Sequence, residues 1–512
     1  MSANPRPTRL FQPTPPAVYY TAGLAALALT LGLAVAVLPP LVSGALAVGL
    51  PLLLISLAYP VVALGLALLI GPTRALLVAV VPGLPLDPGQ LGLLFFLGLW
   101  LVQRLSQRKL QLPMPALAWP FGLFILVGLA SLWAAPNPVD GLQEVIKWAQ
   151  MLLVALLTLD LAQRGHRVAI LTAVLLAGAV QAAGGIYQWG LRGIGPEHFA
   201  IAPGRYRAYG AFEQPNPFGG YMGLVWPLAA GLAFGGLLKT LAPLRHTGLA
   251  TLRNWPLTHW LALTLTTLTA ALCGVALLVS YSRGAWLGAA AAGAVLLIFA
   301  PRQRGLGLAL GLVAALGGLA LWQAGLLPAS ITSRLSTITD FIQVYDVRGV
   351  HINDANFSLI ERIAHWQAAF AMTDAHPWLG VGLGNYTAAY PDFRLINWVY
   401  PLGHAHNIYF NLLAEVGLIG LVAYLSLWGF IVWQTLTALI HTTGWQRGLA
   451  LGLLGVWAHL STHHLVDYLY VNNLHIHLGV LLGLLAALPH TPRSSEFHHA
   501  TTPTPTAYHS PR

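Results

Sequence analysis

Three short stretches of an otherwise apolar chain carry the side chains best suited to chemistry. The first runs Arg205-Tyr206-Arg207-Ala208-Tyr209-Gly210-Ala211-Phe212-Glu213-Gln214-Pro215-Asn216, two arginines before a glycine-rich entry into apolar sequence. The second, Ser282-Arg283-Gly284-Ala285, joins two apolar stretches. A guanidinium there is costly to desolvate, so it either faces a polar cavity and marks a functional site or snorkels to lipid headgroups. The third, Gly403-His404-Ala405-His406-Asn407, opens a long apolar run that contains Gly417 and Gly420. Arginine is a permanently charged fork that pairs bidentately with phosphate oxygens, and histidine is the usual general base at neutral pH, although a lone histidine is more often structural. Two arginines and a histidine meeting at one pocket would form a reaction centre.

Other polar residues are weaker candidates. Arg205 and Arg362 are auxiliary contacts for phosphate, with surface salt bridging to nearby acids the favoured account of both. Asp374, Asp392 and Glu415 could orient His406 or accept from ligand hydroxyls, and nothing in the sequence chooses among them. Tyr209, Tyr386, Tyr390, Trp398 and Tyr400 could stack on sugar faces, but aromatic belts at membrane interfaces are commoner. His463, His464, Asp467, His475 and His477 form a further cluster. His463 and Asp467, four apart, could share a helix face as metal ligands; the expectation is no metal, because interfacial histidines are ordinary. No Asp-x-Asp pair placed to hold a nucleotide-sugar metal is visible.

The elements that must position these residues are membrane spans. Of 512 residues, 57% are apolar and 8% charged, against roughly 25% charged in an ordinary soluble domain. Fourteen candidate crossings are expected near 18–38, 41–57, 61–82, 89–103, 115–134, 145–161, 168–190, 217–237, 259–281, 284–300, 305–326, 407–435, 447–464 and 474–488, with twelve as the lower count. The prolines at 39, 40, 51, 60 and 72 crowd the second and third, which can be tilted or re-entrant. The expected class is therefore all-α: a polytopic protein of about 12–14 transmembrane helices with an outer-face insert containing an amphipathic helix. Ile360, Ile363, Trp366 and Phe370 recur at helical spacing to make that helix, lying on the membrane or capping a cavity. The turn His376–Gly384 ends it. Five regions follow: N-terminal helices 1–190, core helices with both arginine motifs 191–327, the outer insert 328–406, C-terminal helices 407–490 and a disordered tail 491–512. The first apolar segment reads as a retained span, not a cleaved signal. Cys273 is helix filler.

The net charge of +10 does not signal nucleic acid once it is sorted by side of the bilayer. Arg104, Arg108, Lys109, Arg164, Arg167, Lys239, Arg245, Arg253, Arg302, Arg304, Arg447 and Arg493 fall in alternate turns. Asp87, Asp140, Glu197, Glu213, Asp340, Asp346, Asp354, Asp374 and Asp392 fall in the others. The positive-inside rule then makes both termini cytoplasmic and places the three polar stretches on the outer face.

The run His406-Asn407, nine residues, Gly417, two residues, Gly420 resembles the signature of O-antigen ligases. Arg207 with Gly210, Phe212 and Asn216 is similar to that family's first arginine motif, and Ser282-Arg283-Gly284-Ala285 to its second. The resemblance spans about 205–420. It implies a transferase of the bacterial cytoplasmic membrane that moves a glycan from an undecaprenyl-diphosphate carrier to an acceptor hydroxyl, without metal or other cofactor. Arg207 and Arg283 would stabilise the departing diphosphate and His406 would be the base. Arg205, Arg362, Asn216, His404 and Asn407 would bind substrate. The acceptor, lipid, glycan or protein, stays open, so a repeat-unit polymerase or protein O-oligosaccharyltransferase fits equally. A small-solute transporter such as one for bicarbonate, and a non-catalytic subunit that binds lipid-linked glycan, are the alternatives.

Overall fold

The computed structural model describes residues 40–74, 76, 87–243, 248–326, 332, 346–353 and 356–489. The expected crossing at 18–38, the tail 491–512, most of 328–345, and Arg245, Asp340, Asp354 and Arg493 lie outside them. The protein is 75% helical, and the one sheet among the described residues is a two-stranded antiparallel ribbon, β1 (Ala200–Ala202) with β2 (Arg205–Tyr206). The helices are α1 (Pro40–Ala58), α2 (Pro60–Ile70), α3 (Pro88–Ser106), α4 (Ala118–Ser131), α5 (Pro138–Leu161), α6 (Arg167–Gly190), α7 (Pro215–Leu241), α8 (Leu257–Val279), α9 (Arg283–Phe299), α10 (Arg304–Gln323), α11 (Phe357–Ala375), α12 (Tyr386–Phe393), α13 (Ile408–His441), α14 (Gly444–His463) and α15 (Leu474–Ala486). Among the described residues, six segments are long and apolar enough to cross a membrane. One of these, Pro138–Gly190, holds both α5 and α6, which join at Gly165 with φ 93°. This is an all-α polytopic membrane protein. Its lipid-facing surface is written on α10, where Leu308, Leu312, Val313 and Leu316 are all exposed.

Successive helices alternate in direction, so their ends gather at two faces. At one, Asn473 donates Nδ2 to Gly71 O and to Asp87 Oδ1. At the same face Ser131 Oγ meets Leu383 N, Gln188 donates to Gly210 O, and Ile408 N bonds His464 O. The ends at Ile70, Asp87, Ser131, Pro138, Gly190, Pro215, Val279, Arg283, Ile408, His463 and Leu474 therefore lie together. Arg104, Arg164, Lys239, Arg302 and Arg447 occupy the opposite ends, and Asp87, Asp140, Glu213, Asp374 and Asp392 the first face. The sorting of charge by alternate turns is thus physical.

The insert folds onto that first face. α11 turns Ile360, Ile363, Ala364, Ala368 and Met372 into a small core of its own with Tyr386 and Tyr390 of α12, and it packs against α13. The chain after α11 then returns into the bundle. Val381 N and Gly382 N donate to Ala414 O and Glu415 O, and Leu418 N to Pro377 O. Gly417 makes this possible. It interrupts α13 at φ 63°, and a Cβ there would overlap the Trp378 backbone, so the first glycine of the G-x-x-G pair answers a packing demand that no other residue meets.

Candidate functional site

The arginine motifs converge because three helix ends hold them. Arg207 leaves the ribbon just before α7; its main chain is fixed by Ala208 N on Val279 O at 2.9 Å. Its side chain donates Nε–H to Ser280 O at 2.9 Å and a terminal N–H to Asn216 Oδ1 at 3.1 Å. Asn216 therefore aims the guanidinium from the first turn of α7. Arg283 is the first residue of α9, behind Ser282, whose hydroxyl caps the helix by accepting from Ala285 N at 3.3 Å. Gly284 follows because α14 passes against it: a Cβ there would press on the His463 ring. From above, α11 lowers Ser358, Arg362 and Trp366 onto the same space.

The result is one cavity of about 460 Å³ whose wall includes Arg207, Arg283, Arg362, Asn216, Asn407 and Asp467. Three guanidinium groups from three separate parts of the chain share it. Arg362 is part-buried; burial pulls its pKa below the ordinary arginine value, and the carboxylates of Asp467 and Glu361 oppose that pull.

The histidine motif lies against the Asp467 wall. Asn407 accepts from Tyr409 N and Phe410 N at 2.9 and 3.1 Å as the N-cap of α13, the position that favours Asn. Its amide donates to Leu465 O at 2.9 Å. This pins the start of α13 to the loop that follows α14. His406, just before the cap, takes a left-handed backbone at φ 53° and brings Nδ1 to 3.7 Å from Asp467 Oδ1, while Asp467 Oδ2 lies 3.9 Å from His463 Nε2. Burial would raise the Asp467 pKa, but contact with His406 outweighs it and holds the group well below the usual carboxylate range. His404 stacks on Tyr468 at 5.1 Å and accepts at Nδ1 from His406 N; burial, aided by His406, pushes its pKa down to about 3, so it is neutral. The donor atoms of His404, His406 and Asp467 lie within 4.8 Å of one another, which is where, among the described residues, a metal could be held.

Several expectations about single residues change. Arg362 is no surface salt bridge: it lines the cavity. Arg205 stays outside, its guanidinium 5.2 Å from the Trp189 ring centroid. Neither His404 nor His406 is among the residues that line the cavity; both reach it through Asp467, which is. Glu415 is buried, accepts from Tyr386 N and serves the insert hinge, whereas Asp374 and Asp392 are exposed. The group that faces His406 is Asp467, which sequence spacing had joined only to His463. Tyr386, Tyr390 and Trp398 pack inside the insert, so they neither stack on an open sugar site nor belt the membrane. Ser358 and Trp366 were not singled out as site residues, because an amphipathic repeat shows which face is buried and not which cavity it borders.

Residues 268–425 match the family described as O-antigen ligase. That segment is similar to the O-antigen ligase superfamily, which the match supports for this part of the chain. The matched segment contains Arg283, Arg362, His406 and the Gly417 hinge, while Arg207 and Asp467 reach the same cavity from outside it. The match and the apolar helices point to an integral protein of the bacterial inner membrane, with a function broadly of the O-antigen ligase or polymerase type on lipid-linked glycans. No curated protein matches the chain.

Proposed function

We propose that this chain transfers a glycan from an undecaprenyl-diphosphate carrier to an acceptor hydroxyl at the outer face of the cytoplasmic membrane. What carries the reading is the shared cavity, in which Arg207, Arg283 and Arg362 surround a space next to the Asp467–His406 pair. Bond breaking between the anomeric carbon and the phosphate oxygen leaves a diphosphate with an added negative charge. Fixed guanidinium groups stabilise that charge as it develops and need no reorganisation to do so. The acceptor oxygen bonds to the anomeric carbon and gives up its proton to His406. With Nδ1 turned to Asp467, Nε2 is the nitrogen that receives it, and Asp467 stabilises the imidazolium that results. The protein's own cations supply the positive charge, so the reading uses no metal. The concentration of basic residues at the opposite helix ends supports the outward placement.

The test is transfer in proteoliposomes supplied with lipid-linked glycan. His406→Ala is expected to abolish transfer while retaining the carrier, and Arg283→Ala to weaken carrier binding as well. Undiminished transfer by His406→Ala would defeat the assignment. The acceptor, whether core lipid, growing glycan or protein, is read out by which one becomes labelled.

A further inference from the structure

A second, larger cavity lies at the other end of the bundle. It measures about 1170 Å³ and is bordered by Lys239 at the end of α7, Arg302 between α9 and α10, and Arg447 in the first turn of α14. The 27 residues of α7 separate it from the first cavity by roughly 40 Å at 1.5 Å per residue, about the thickness of a bilayer with its headgroups. No Asp or Glu occurs among its lining residues. Arg302 and Arg447 are close enough for their like charges to oppose one another. Lys239 sits 5.5 Å from the Trp255 ring centroid, and the Trp255 indole nitrogen is buried without a hydrogen-bond partner among the described residues. Leu238, Leu241 and Leu306 supply apolar wall, and all three are exposed.

Three cations with no carboxylate, beside an unanswered indole N–H and open leucine surface, fit one ligand chemistry: a phosphate diester carrying acyl chains. We infer that this cavity binds an anionic phospholipid, its phosphate near Lys239 and Arg302 and its chains along Leu238, Leu241 and Leu306. Basic pockets between membrane helices recognise such headgroups. Arg447 has a second duty. It donates to Leu439 O at 2.7 Å and to Phe299 O and Ala300 O at 3.0 and 3.3 Å, closing the carboxyl ends of α13 and α9, so it fixes the pocket's floor and is a poor choice for substitution. This site is independent of the glycan-transfer reading.

The full chain, purified in neutral detergent and stripped of lipid, is titrated with phosphatidylglycerol while its thermal unfolding is followed. Phosphatidylcholine and inorganic phosphate serve as the comparison ligands. Phosphatidylglycerol is expected to raise Tm with saturation, and the other two to leave it unchanged. Lys239→Gln and Arg302→Gln should each weaken the apparent affinity about fivefold, and together roughly 30-fold. Both side chains are exposed, and the single variants carry the test if the double variant fails to fold. Equal stabilisation by phosphatidylcholine would overturn the inference, as would equal stabilisation by inorganic phosphate or an unchanged affinity in the glutamine variants.

Discussion

Asn407 belongs to the stretch expected to bind substrate, yet its bonds describe a positioning residue, and substitution separates the two roles. Its Oδ1 caps α13 through two backbone N–H groups, and its Nδ2 holds Leu465 O at 2.9 Å. Asn407→Ala removes the cap, worth about 1 kcal/mol, and forfeits a part-buried hydrogen bond to Leu465 O worth about 0.5–1.5 kcal/mol. The sum is roughly 1.5–2.5 kcal/mol. Asn407→Ser restores the cap and forfeits only the link to Leu465, so it should recover about 1 kcal/mol of that loss. Because His406 immediately precedes the cap, transfer should follow stability: strongly reduced in the alanine variant, and recovered in part by serine. Thermal unfolding in detergent, read beside initial transfer rates, gives both quantities. A serine variant more stable than alanine but just as inactive would show that the amide itself touches substrate and would refute the positioning account.

Three further outcomes follow from the same geometry. Arg207→Lys and Arg283→Lys keep the charge but lose the planar fork, and each should slow transfer by about 10²–10³; a kcat within tenfold of the native enzyme would contradict the bidentate role. Gly417→Ala places a Cβ against Trp378 at a left-handed backbone position and should destabilise by about 2–5 kcal/mol, which thermal unfolding reports directly; an unchanged Tm would mean that the insert hinge is not under this constraint. Asp467 has a folded pKa depressed below its unfolded value of about 3.9. Its contribution is therefore fully present above about pH 4 and is lost as pH falls through the folded value. The stability gap between the native protein and Asp467→Asn should narrow as pH falls below about 4, and a gap that does not change with acid would be inconsistent with the contact at His406.

The spans were legible because hydropathy alone decides them. The helix expected at 259–281 is α8 (Leu257–Val279), and that expected at 284–300 is α9 (Arg283–Phe299). That expected at 474–488 is α15 (Leu474–Ala486), whereas α2 matches less well: it stops at Ile70, ahead of Pro72, although apolar sequence runs on. Within the site, Arg207, Arg283 and His406 could be picked out because each is a costly polar group beside an apolar run. Arg362 and Asp467 could not be read in the same way. Each lies in polar sequence, where a charge costs nothing locally, and only the fold of α11 and of the loop after α14 brings them to the cavity. Asn407 shows a different failure. Its type and position mark a functional stretch, but an amide that caps a helix and an amide that binds a sugar look alike until its partners are known.

Both cavities are built from the ends of helices, and the cost of charge in a membrane explains why. A guanidinium at mid-span would have to be desolvated, whereas at a helix end it keeps access to water or headgroups. At the first face the folded insert lowers Arg362 onto Arg207 and Arg283, and the three share a part-enclosed space with one balancing carboxylate, Asp467. At the opposite face, among the described residues, no insert covers Lys239 and Arg302 and no carboxylate balances them in the cavity lining. Enclosure with a paired base suits the first for reaction. Open cations beside exposed leucines suit the second for holding the membrane's own anionic lipid, and Gly417, by letting the insert return into the bundle, is the residue on which the difference between the two ends turns.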